Sequence, residues 1–250
     1  MLIDLPTLAL LFSAAFIAGL VDAIAGGGGL ITVPALLAAG LPPQLALGTN
    51  KLQASFGSGS AMLHFIRAGR VNLRECYSGI IWTALGAGLG AWAVQLLDPG
   101  LLRRLIHWLL AAIALYTLFT PQLGRDDSHA RWSAGPFFMV FGLSIGFYDG
   151  FLGPGTGSFW AMAFMLLFGY SMVRATAYTK VMNFTSNATA LLFFLLAGQV
   201  QLVAGLVMGA GQFLGARIGA RLVITKGAAF VRPVFITMVL AVLIKLILQR

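Results

Sequence analysis

Two aspartates and two lysines stand among long apolar runs, and each Asp–Lys pair brackets a glycine-rich bend. The first set, DAIAGGGGLITVPALLAAGLPPQLALGTNK, holds Asp22, the bend Gly26 to Gly29, and Lys51. The second, DGFLGPGTGSFWAMAFMLLFGYSMVRATAYTK, holds Asp149, the bend Gly153 to Gly157, and Lys180. Each lysine follows a glycine (Gly40 or Gly169) by eleven residues, so Lys51 and Lys180 correspond at an offset of 129. Gly69 and Gly198, Val71 and Val200, and Gly86/Gly90 and Gly215/Gly219 keep the same offset. An ammonium inside an apolar segment costs at least ~2.5 kcal/mol, so it faces a cavity or an opposite charge. A helix that starts after a glycine bend offers unpaired N–H groups and roughly half a positive charge, which suits an anion.

The chemistry these residues suit is therefore the holding of a small oxyanion. Lys51 and Lys180 supply charge. The N–H groups around Gly28, Gly29, Gly155 and Thr156 form the cradle, and Asn50 and Asn183 add donors. Asn183 and Asn187 share a helical face with Lys180, and Gln53 lies beside Asn50. Asp22 and Asp149 stand as counter-ions, proton carriers or caps of the glycine bends. The plainer alternative pairs each lysine with the aspartate of its own half, Lys51 with Asp22 and Lys180 with Asp149.

Other chemistries lack their residues. GPGTGS has no Lys-Ser/Thr ending of a phosphate-binding loop, and the chain contains no HExxH. His64, His107 and His129 form no ligand pair, and Cys76 is the single cysteine, so no catalytic residue, metal site or cofactor is assigned.

Positioning falls to an all-α membrane-spanning architecture. Of the 250 residues, 59% are hydrophobic and 9% charged, which describes a chain whose solvent is lipid. The net charge of +9 sits mostly in short connections between apolar runs; it reads as topology, with no nucleic acid partner. Residues 1–120 form a first transmembrane repeat, 121–133 a polar linker and 134–250 a second repeat. The apolar segments run over 5–25, 29–40, 43–66, 76–97 and 101–119, then 134–153, 157–169, 172–197, 202–223 and 229–249. The second segment of each half is too short to span at ~1.5 Å per residue and reads as a broken or re-entrant helix facing protein or a wet cavity. About eight full spans remain. The N-terminus has no positive leader region and reads as a retained first span.

The arginines favour an inverted pair of halves. One side then holds Arg67, Arg70, Arg74, Arg125, Arg131, Arg174, Lys226 and Arg232, and the other mainly Arg103, Arg104 and Arg250. The glycine spacings Gly86/Gly90 and Gly211/Gly215/Gly219 let helices pack closely and suit a monomer or a homodimer alike.

Asp22-AIAGGGG-Leu30, the run Gly48-Thr49-Asn50-Lys51 and the second copy ending in Thr179-Lys180 resemble the sulfite exporter TauE/SafE family, over almost the whole chain. The second copy departs from the first: Tyr178-Thr179-Lys180 stands for Thr-Asn-Lys, and GPGTG for GGGG. The resemblance implies a multi-pass protein of the bacterial inner membrane with two homologous halves, carrying sulfite, organosulfonates or other small sulfur oxyanions. The expected function is export of such an anion by alternating access, with an anion channel, an intramembrane enzyme or an assembly factor as alternatives. An inside-negative potential favours the exit of a charged anion by ~2.3 kcal/mol per charge per 100 mV.

Overall fold

The computed structural model describes residues 3–118 and 130–226. Among the described residues the secondary structure is entirely helical: α1 (Leu5–Ala25), α2 (Gly29–Ala38), α3 (Pro43–Arg67), α4 (Leu73–Gln95), α5 (Pro99–Leu118), α6 (Ala134–Phe151), α7 (Thr156–Leu166), α8 (Met172–Leu196) and α9 (Leu202–Lys226). The expected segment 229–249 and most of the linker, including Asp126, Asp127 and His129, lie outside the described residues.

Helices α6 to α9 repeat the order of α1 to α4, and the bounds of α3 and α8 differ at both ends by the offset that relates the two lysines. The same registration holds in single hydrogen bonds. After α3 the chain turns at Gly69 (φ 67°), where Arg70 N–H bonds Phe65 O at 3.0 Å. After α8 it turns at Gly198 (φ 68°), where Gln199 N–H bonds Phe194 O at 2.8 Å. A positive φ here closes the last turn onto its orphan carbonyls, and glycine adopts it without a Cβ clash. Helix α4 begins at Leu73, three residues before the expected segment, because Asn72 caps it by accepting from Arg74 N–H at 3.1 Å.

The two halves are interlaced. Helix α1 packs along α9, and its counterpart α6 packs along α4, so the first helix of each half lies against the fourth helix of the other. Glycines make this possible. A Cβ on Gly215 would sit 2.0 Å from Phe16 O, one on Gly90 2.1 Å from Phe147 O, and one on Gly150 2.0 Å from Ala87 O. The small-residue faces of α4 and α9 are thus filled within the chain. Helices α3 and α8 cross at the centre. The turn after α3 lies beside the start of α8, where Asn72 N–H bonds Tyr178 Oη at 3.2 Å. Reciprocally, the turn after α8 lies beside the start of α3, where Gln201 N–H bonds Thr49 Oγ1 at 2.9 Å.

The bundle buries charged and amide side chains beside its apolar core and turns large apolar side chains outward. Tyr77, Ile81, Leu85, Leu89, Trp92 and Leu96 form an exposed stripe along α4, while Lys51, Lys180, Asp149, Asn50 and Gln212 are buried. In water that arrangement is reversed, since buried charges and amides lose hydration without hydrocarbon to shelter from. By length and composition α1, α4 and α9 are apolar enough to cross a membrane, and α2 and α7 are the two shorter apolar helices. Trp160, by contrast with the exposed Trp92 and Trp108, is fully buried in an aromatic cluster with Phe137 and Phe164.

Candidate functional site

Each glycine bend ends one helix and opens a short one, and the two bends abut. A Cβ on Gly26 (φ 74°) would lie 2.6 Å from Gly157 C, and one on Gly29 would lie 3.2 Å from Pro154 Cα. Only residues without side chains permit main chain to approach main chain this closely. Where α1 and α6 break off, the carbonyls of their last turns lose helical partners. The lysines arrive at carbonyls of these last turns, Asp149 O and Asp22 O, the latter also accepting from Gly26 N–H at 2.9 Å.

Lys51, in the first half of α3, reaches α6 and donates to the carboxylate of Asp149 (Nζ–Oδ1 2.7 Å) and to its main-chain carbonyl. Lys180, on α8, does the same to α1: it donates to Asp22 Oδ2 at 3.0 Å and to Asp22 O. The ion pairs therefore cross between the halves. The own-half pairs, Lys51 with Asp22 and Lys180 with Asp149, do not form, because the interlaced packing carries the end of each first helix to the other half's lysine. Both lysines are almost wholly buried, at 1% and 0% exposure, and each sits as a cation at a helix C-terminus, the favourable end of the dipole. The site thus holds two cations and two carboxylates.

The two carboxylates are held differently. Asp22 Oδ1 accepts from the main-chain N–H groups of Gly27 and Gly28, both at 3.1 Å, so it caps its own bend. Asp149 takes no main-chain donor among the described residues; its second oxygen accepts from the hydroxyl of Ser186 on α8. The bend beside it is held instead by Tyr148 Oη on Pro154 O and Thr156 Oγ1 on Gly153 O.

Between the bends lies a cavity of about 30 Å³, room for a water molecule or two. Its wall includes Asp22, Gly29, Asn50, Asp149, Gly155, Thr156 and Asn183, together with Gly157, Asn187 and Gln212. Seven of the ten residues expected at the site are therefore gathered around one space. Lys51 and Lys180 stand behind the carboxylates rather than in the wall, and the N–H of Gly28 is spent on Asp22. The N–H of Thr156 bonds Gly153 O at 3.2 Å, while the amides of Gly29, Gly155 and Gly157 have no acceptor among the described residues. Asn50 Oδ1 accepts from Thr32 Oγ1 (2.6 Å) and Gln53 Nε2 (2.7 Å), which leaves its Nδ2 as the donor for the cavity. Gln212 and Ser186 escaped the sequence reading. A polar side chain in mid-span was the available signal for both, but Gln212 sits between glycines that read as packing and Ser186 between amides that drew the attention. No group of three or more metal-ligating side chains occurs among the described residues.

A helical bundle with long apolar helices, an apolar exterior and paired broken helices around buried charge has the character of a membrane protein. Residues 11–246 match the family described as "Sulfite exporter TauE/SafE", and the chain belongs to that family. It is 48% identical over 240 residues to a "Probable membrane transporter protein" of Haemophilus influenzae, covering 94% of this chain and 92% of that one. It is also 48% identical over 229 residues to the "Probable membrane transporter protein YfcA" of Escherichia coli K12, covering 92% and 85%. A more distant relative, the "Probable membrane transporter protein YunE" of Bacillus subtilis, is 26% identical over 231 residues, covering 82% and 84%. No solved structure matches. The protein is a membrane transporter.

Proposed function

We propose that this transporter exports a small anion, a sulfur oxyanion such as sulfite or an organosulfonate, by alternating access of two inverted halves of the bacterial inner membrane protein about the cavity between the glycine bends. The observation that carries this reading is the crossed pair of buried lysines at a polar cavity to which both halves contribute. Lys51 and Lys180 supply charge once their carboxylates give way. The amides of Gly29, Gly155 and Gly157, with Asn50 and Asn183, hydrogen-bond the oxygens. The space is water-sized in this conformation, so it corresponds to a closed state that opens as the halves rock.

The test is uptake of radiolabelled sulfite, thiosulfate and a small sulfonate into proteoliposomes. Lys51→Ala and Lys180→Ala are each expected to lower saturable flux roughly ten- to a hundredfold, the worth of a charged hydrogen bond of ~1.5–3 kcal/mol. A second reading makes the lysines structural, and one observation favours it: each Nζ also binds a main-chain carbonyl at a broken helix end. Wild-type flux in both variants would establish that reading.

Inversion is supported by the reciprocal placement of the turns after α3 and α8. The bond between Arg174 and Glu75 (3.1 Å) sets the start of α8 beside α4, on the side where Arg67, Arg70 and Arg74 gather. Ala68 and Ala197, equivalent exposed residues in the two turns, are the places to test it. Ala68→Cys is expected to react with a membrane-impermeant thiol reagent from the cytoplasmic side, and Ala197→Cys from the opposite side. Labelling of both from one side would rule inversion out.

A further inference from the structure

The two lysines and two aspartates beside the cavity balance in charge, and that balance has a consequence for what travels with the anion. An anion that takes the place of the Asp149 carboxylate at Lys51 leaves a net negative charge in a low-dielectric site. The cost disappears if the displaced carboxylate takes up a proton. Resting on the anion-transport reading, we infer that Asp149 is a proton-binding site and that the protein moves its anion together with one proton.

Asp149 is singled out over Asp22 by its hydrogen-bond partners. A protonated carboxyl needs an acceptor for its O–H. Asp22 faces two main-chain N–H groups and an ammonium, all of which only donate, so protonation would leave a donor facing a donor. Asp149 faces Lys51 and the Ser186 hydroxyl, and a hydroxyl can reverse. Ser186 Oγ already lies 3.1 Å from Met182 O and 3.1 Å from Asn183 O. When a proton adds to Asp149 Oδ2, Ser186 turns its own O–H to one of these carbonyls and accepts from the new carboxyl. Lys51 keeps its bond to Asp149 O and gives the one it made to Oδ1 to the anion. One proton and one monoanion enter, and the site's charge is unchanged.

The titratable and charged groups that face Asp149 are few among the described residues. The charged groups near Asp149 are Lys51 from α3 and the second pair, Asp22 from α1 with Lys180 from α8. Its neighbour Tyr148 is tied to Pro154 O. Helix α4 meets α6 with Thr83, Gly86, Ala87 and Gly90, and α7 brings Thr156 to the cavity, none of them titratable in this range. Drive then comes from the gradients of anion and proton, in place of the membrane potential, so export proceeds when the outward gradient of the anion exceeds any inward gradient of protons.

The experiment uses the full chain in proteoliposomes with an internal pH dye and labelled methanesulfonate, an anion ionised at every working pH. In wild type, a gradient of one pH unit, alkaline inside, is expected to accumulate the probe about tenfold, since one pH unit is a tenfold ratio. The dye should report proton entry, and a potassium-diffusion potential should leave the rate unchanged. Asp149→Asn is expected to lose the accumulation, with its residual exchange independent of pH. Ser186→Ala should slow gradient-driven accumulation several-fold more than exchange, and Ser186→Thr should restore it. Saturable flux driven by voltage or by a sodium gradient, without a dye signal, would overturn the proton coupling and leave anion transport standing. Absence of saturable flux of both methanesulfonate and thiosulfate would overturn the anion-transport reading and the coupling with it.

Discussion

Lys51→Met is expected to destabilise the protein by about 3–5 kcal/mol, and Asp149→Asn added to it to return most of that loss without returning transport. The single change leaves the Asp149 carboxylate buried, at 2% exposure, with only the Ser186 hydroxyl for a partner. An uncompensated charge in that position costs far more than the lost hydrogen bond. Neutralising the carboxylate removes the charge and keeps an amide of the same shape against Ser186. The recovery should fall short by about 1–2 kcal/mol, because Asp149 O still lacks the ammonium that capped it. Thermal unfolding in detergent, read together with flux in liposomes, separates the two effects. If the double variant were no more stable than the single one, the pair would not be electrostatically coupled. If it transported normally, Lys51 would not contact the anion.

Gly215→Leu is the second large effect. In an isolated helix, replacing glycine by a better helix former gains about 1 kcal/mol. Here the new Cβ would stand 2.0 Å from Phe16 O, a main-chain atom of α1 that moves only if the whole helix moves. Overpacking against rigid neighbours costs about 1–3 kcal/mol even for a methylene or two, and a leucine between two helix backbones exceeds that range. Steric exclusion wins. The expected result is loss of the monodisperse peak on size-exclusion chromatography, with Gly90→Leu at the α4–α6 contact behaving alike. Gly135→Ala is the control: nothing lies within 4 Å of its Cβ, so the peak and melting temperature should hold or rise slightly. A Gly215→Leu protein with wild-type stability would show that α1 and α9 do not pack as described.

Much of this was legible in the sequence because helices announce their own ends. Glycine at Gly40, Gly69, Gly169 and Gly198, and proline at Pro6 and Pro43, act on the backbone locally, so the nine described helices fall within a few residues of the segments read from the apolar runs. The doubling of the chain, the broken helices and the intramembrane Asp and Lys are likewise local or periodic features. What the tertiary structure alone decided is which groups meet. Spacing along the chain allows Lys51 to pair with Asp22 as readily as with Asp149; the glycine faces that send α1 to α9 and α6 to α4 settle the matter by carrying each helix end to the opposite half. The same packing sets Gln212 at the cavity and Ser186 against Asp149, from helices that looked like simple spans. It also gives Asp149 a hydroxyl from α8 where Asp22 takes two main-chain donors of its own bend, a difference between two carboxylates that have the same place in the repeat. Local chemistry fixes where a helix breaks, and only the meeting of distant surfaces fixes what the broken end faces.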